Sequence, residues 1–168
     1  MITRSTVLVW FWLGAAVLFI AVVAPSAFAV LPTRAMAGLV VGRVLPVLFW
    51  SGAIVGALML FLSRGWRRAA ATVLVLASLG AQLGVAPQIQ RARVSLGPDL
   101  EAIAAADPRR VAFGRLHGIS VALLGVGMLG AAAIAIGGLL TGRAPRTPGM
   151  VQSHESVGRT VPPLPAGV

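Results

Sequence analysis

The residues best suited to chemistry cluster in one short stretch, FGRLHGIS at 113–120, which stands at the mouth of a long uncharged apolar run. The ordinary pKa of His117 suits a proton carrier near neutrality; its plain alternative is a hydrogen bond to a backbone carbonyl or a headgroup phosphate. Ser120 follows three residues later, so on a helix the two share a face, one turn apart. Arg115 and its counterpart Arg43 each follow a glycine at the entry of an apolar run. At the bilayer centre an arginine costs roughly 3 kcal/mol or more. Both therefore belong at the boundary, where the side chain snorkels to the headgroups. Gln82 is polar within an apolar run, and helix-to-helix hydrogen bonding, worth about 0.6 kcal/mol on average, is its ordinary role. Together with Gln90, the residues Arg43, Gln82, Arg115, His117 and Ser120 make a candidate polar cap that would handle a small solute or an ion.

The missing chemistry is as informative. The 168 residues include no cysteine, hence no disulfide, thiolate metal site or catalytic thiol. No G-x-S-x-G or H-E-x-x-H motif is present, and no paired carboxylate falls within the apolar runs. His117 has no second histidine, cysteine or carboxylate beside it in those runs, and His154 lies far along a polar tail. No catalytic residue, no cofactor and no metal is expected, and the chain reads as a protein that is not an enzyme. A haem held by two histidines would need His117 from each of two copies, the third and weakest reading.

Membrane helices must position these residues. Hydrophobic residues make up 58% of the chain and charged ones 11%, against about 25% charged in soluble domains. Four runs, at about 7–30, 44–62, 69–86 and 119–140, reach the roughly 20 apolar residues that a spanning helix needs. Backbone groups in lipid must bond within their own segment, so each run is a helix. The expectation is an all-α, integral membrane four-helix bundle over residues 1–142. The first run also resembles a signal peptide, with Arg4 before it and AFA at 27–29, but it is longer than a usual apolar region of that kind and should be retained. All 14 basic residues are arginine, set against 4 acids for a net charge of +10. They flank apolar runs and form no basic face, so membrane lipids rather than nucleic acid are the expected partners.

The connections carry further signals. SRGWRR at 63–68 is so short that it makes its two helices antiparallel neighbours, and its arginines and Trp66 suit a headgroup anchor. Arginines flank both membrane faces almost equally; the tight cluster at 64–68 favours an inner N-terminus. Residues 31–43 read as an outward extension of the second helix. Residues 98–108 read as a short surface helix, after which Asp107 caps a fourth helix that opens at Pro108 well outside the membrane. The proline-rich tail at 143–168, with PPLP at 162–165, reads as disordered.

Two patterns recur. VVAPSAF at 22–28 parallels GVAPQIQ at 84–90, and VGRVLP at 41–46 parallels FGRLHG at 113–118, as in two parallel two-helix repeats. Glycines four apart at 38 and 42, 52 and 56, 80 and 84, and 114 and 118 suit close helix packing.

The Ala-Pro and Gly-Arg pairs, and above all Phe113, Arg115, Leu116, His117 and Ser120, resemble the transmembrane protein 205-like family over roughly residues 7–140. The chain departs from that pattern at Leu124, where an asparagine commonly stands. The resemblance implies membrane localisation and a small four-helix bundle, and no established reaction; the cell membrane is the expected location. Beside the solute-handling reading stands a structural or assembly role, in which Gly-lined faces pack against a second copy or another membrane protein.

Overall fold

The computed structural model describes residues 4–97 and 103–141, all in helices and the short connections between them. Helix α1 runs Arg4–Leu18, passes through a wide π-helical turn at Phe19–Val23 and continues as Ala24–Val30. Helix α2 is Arg34–Leu62. Helix α3 runs Trp66–Leu79, passes through a second π-helical turn at Gly80–Val85 and continues as Ala86–Leu96. Helix α4 is Pro108–Thr141. Four stretches, Thr6–Val30, Arg34–Leu62, Trp66–Leu96 and Pro108–Leu140, are long and apolar enough to cross a membrane. The chain is an all-α, multi-pass membrane protein.

Local chemistry sets the helix ends. Thr33 caps α2: its hydroxyl accepts from the Met36 N–H at 3.2 Å and its carbonyl from Ala37 at 3.1 Å. Asp107 caps α4, as the sequence implies, with Oδ1 accepting from the Arg109 N–H at 2.8 Å. Gly65 turns the chain between α2 and α3 at φ 59°, and Gly97 ends α3 at φ 73°; both values disfavour a side chain.

The third helix runs on past its apolar run, which ends near residue 86, and one expectation needs correction. Pro87 lacks an N–H and its ring crowds the preceding turn, but the π-helical turn just before it widens the helix, which then continues to Leu96. Pro25 follows the other π-helical turn in the same way, so the two Ala-Pro pairs share a geometry as well as a sequence. The surface helix expected over 98–108 is not seen in its described part, where 103–107 form a bend and a turn. Residues 98–102 and the tail from 143, with PPLP and His154, lie outside the described residues.

The helices form a ring in chain order, with α1 against α2, α2 against α3, α3 against α4 and α4 back against α1. Trp12 fills the middle. It is 3% exposed and donates from Nε1 to the Leu48 carbonyl at 3.0 Å. Its ring lies where a Cβ on Gly52 would stand, 2.8 Å from Cζ2. A Cβ on Gly56 would come within 2.7 Å of Val75, and one on Gly130 within 2.8 Å of the Ala70 carbonyl oxygen. Glycine thus permits the close approaches of α2 and α4 to α3. The pairs Gly80 and Gly84, and Gly114 and Gly118, meet nothing within 4 Å. These faces turn outward, contrary to the packing role expected of them within the bundle.

A polar cavity where the ring opens

The ring loosens at the end where α1 and α3 finish and α2 and α4 begin. Beyond the two π-helical turns, Ala24–Val30 packs chiefly on α2, and Ala86–Leu96 chiefly on α4. The bundle parts here into two helix pairs, and a cavity of about 530 Å³ occupies the gap. Its size falls within the range of small-molecule sites.

The lining follows helical spacing of three and four. Gly38, Gly42, Leu45 and Phe49 come from α2; Gln82, Ala86, Ile89 and Arg93 from α3; Arg110, Phe113, His117 and Ser120 from α4. Phe28, Arg34 and Gln90 are also among the lining residues. The floor, around Phe49, rests on the apolar core that includes Trp12, Phe19 and Leu124.

Polar groups stand at two depths. Near the mouth, Arg93 donates from Nη2 to the Gly38 carbonyl at 3.0 Å. The glycine notch makes room for it, since a Cβ on Gly38 would lie 3.3 Å from Nη2 and one on Gly42 3.7 Å from Nη1. Arg110 donates to the Ile103 carbonyl. Deeper, the buried Oε1 of Gln82 has no hydrogen-bond partner, and Ser120 is 3% exposed. Such an amide oxygen costs about 1–3 kcal/mol when left unpaired, so water or a ligand is its natural complement. Outside the cavity, Asp107 pairs with Arg109 at 3.1 Å. The hydrogen bonds and charge of Arg109 hold the Asp107 carboxyl below its usual value of 3.8.

Of the expected cap residues, Gln82, Gln90, His117 and Ser120 line this cavity. Arg43 and Arg115 do not, and both are exposed elsewhere on their helices. The geometry is simple: at 3.6 residues per turn, Arg115 points away from both Phe113 and His117. Three other arginines, Arg34, Arg93 and Arg110, take the place at the lining. Arg110 was available to periodicity, three residues before Phe113 on the His117 face. At the opposite end of the bundle the expected anchor Arg67 also turns inward. Its Nε is buried and without a partner, and its side chain reaches Gly137 and Gly138.

Residues 7–96, more than half of the chain, match the family described as Domain of unknown function (DUF4149). The chain belongs to this family. The DUF4149 match takes in α1, α2 and α3, including Gln82 and Arg93, and ends with α3. It leaves out α4, which brings Arg110, His117 and Ser120 to the same cavity. No curated protein and no solved structure matches the chain. Among the described residues of this DUF4149 member, no group of three or more His, Cys, Asp or Glu is placed to hold a metal.

Proposed function

We propose that this DUF4149 protein is a non-enzymatic protein of the cell membrane that binds a small solute in the cavity at one membrane face. The unpartnered Gln82 Oε1 at the base of a polar-mouthed cavity carries this reading. Phe113, His117 and Ser120 of the FGRLHGIS stretch, which carries the resemblance to the transmembrane protein 205-like family, also line the cavity. Purification in mild detergent followed by mass spectrometry of released small molecules tests the reading. A species in near-stoichiometric amount should accompany the parent protein and be lost from a folded Ala86→Phe variant, whose ring fills the cavity. Retention by both proteins, or by neither, contradicts it.

A second reading has its own observation. Gly80, Gly84, Gly114 and Gly118 face open space, which suits docking by another membrane helix, from a second copy or a different protein. Bulky substitution at these glycines would then break an assembly and leave solute binding intact.

A further inference from the structure

We propose that the cavity takes an anionic amphiphile, a phosphate or carboxylate head on a single apolar chain. The proposal rests on the solute-binding reading and names its ligand class.

Charge comes first. Arg34, Arg93 and Arg110 line the cavity, and no carboxylate does so among the described residues. A guanidinium has five N–H donors. Arg93 uses one on Gly38 and Arg110 one on Ile103, so each keeps donors for an oxyanion, the partner that a guanidinium fork fits best. Asp107, the acid nearest in sequence to Arg110, is already engaged by Arg109.

Depth comes second. A helix needs roughly 20 residues to cross the hydrocarbon. Counted inward from Leu62, Trp66 and Leu140 at the other face, that length ends near Arg43, Ala86 and Val121. Leu45 and Phe49 therefore lie in the hydrocarbon, while Arg34, Arg93 and Arg110 lie roughly 10–16 Å outside it at about 1.5 Å per residue, toward the water edge of the headgroups. The cavity spans this boundary, apolar within and cationic without. Between Ala24–Val30 and α4 the ring is open, which gives an apolar chain a sideways entry from the lipid. The head sits at Arg93 and Arg110, the chain runs inward past Phe113 to Leu45 and Phe49, and a water or a hydroxyl of the ligand meets Gln82.

The test uses the full chain in phosphatidylcholine nanodiscs, with calorimetric titration against empty nanodiscs. Dodecyl phosphate should bind saturably, one per protein, and dodecyltrimethylammonium should neither bind so nor compete. Replacing Arg93→Gln or Arg110→Gln should weaken binding about tenfold each, in line with one lost charge-assisted bond. Lysine at either position keeps the charge but loses the fork, and its binding should fall between those of the parent and the glutamine variant. Should a glutamine variant fail to fold, the choice among ligands by the parent protein still decides. Equal saturable binding of dodecyl phosphate, dodecyltrimethylammonium and dodecyl maltoside overturns the charge selection and leaves the cavity reading standing. Inorganic phosphate bound as tightly as dodecyl phosphate overturns the amphiphile in favour of a small anion. No saturable binding to the folded parent by any of these overturns the proposal; a co-purifying species lost on filling the cavity would still uphold the wider reading.

Discussion

Arg93 of α3 reaches 3.0 Å from its Nη2 to the carbonyl of Gly38 on α2, fifty-five residues away in the chain. It crosses the gap at the level where the two helix pairs part. One side chain thus both ties the pairs together and places a cation in the cavity between them. The absent side chain of Gly38 makes room for that contact, because a Cβ there would lie 3.3 Å from the guanidinium.

Gly38→Leu should therefore evict Arg93 from its notch. The loss of a hydrogen bond with a charged donor predicts a destabilisation of about 1.5–3 kcal/mol, with wider separation of α2 and α3 at this end. Distances between spin labels on the two helices check the separation, and denaturant unfolding checks the energy.

The glycines of the bundle divide by position. Gly52→Ala should cost about 1–3 kcal/mol by overpacking, because its Cβ would stand 2.8 Å from both Trp12 and Ser78 Oγ. Gly118→Ala meets nothing within 4 Å and should gain up to about 1 kcal/mol from helix propensity. Paired unfolding curves in one detergent separate the two cases.

Trp12→Phe keeps most of the apolar volume and removes the N–H that bonds the Leu48 carbonyl. A cost of about 1 kcal/mol follows from that bond alone, and a part of the aromatic packing adds to it. The Ser51 hydroxyl also donates to that carbonyl, at 3.0 Å, which limits the penalty of leaving it short of a partner.

The cap of α4 should respond to acid. The Asp107 carboxyl is held below 3.8 by Arg109, so its contribution is complete above that ordinary value and is lost as pH falls through the lower folded one. Amide protection factors at Arg109 and Arg110 should be flat near neutrality and drop only in strong acid. Asp107→Ala should show the low protection at every pH.

Periodicity carried much of this arrangement on its own. Gln82, His117 and Ser120 lie on the cavity because apolar runs of these lengths must be helices and residues three apart share a face. The arginines are not sorted by the sequence in this way. Arg43 and Arg115 stand nearer the apolar runs than Arg93 and Arg110 do; what decides which of them reach the cavity is the helical face. The extension of α3 was hidden for another reason. A proline in an apolar run reads as a stop, and the wide turn that lets the helix pass Pro87 has no sequence signature beyond the Ala-Pro pair itself. Likewise, glycines four apart at 52 and 56 and at 114 and 118 are the same motif, and only the assembled ring turns the first pair in and the second out.

The absence of cysteine from the chain makes one measurement especially direct. Single cysteines at Ala86, on the cavity, and at Leu83, 61% exposed on the outer surface of the same helix, would be treated in nanodiscs with a charged, water-soluble thiol reagent. A water-reachable cavity predicts rapid modification of Ala86→Cys and slow modification of Leu83→Cys, which faces lipid. Equal rates at the two positions, or an inert Ala86→Cys, would contradict a solute site at this end of the bundle.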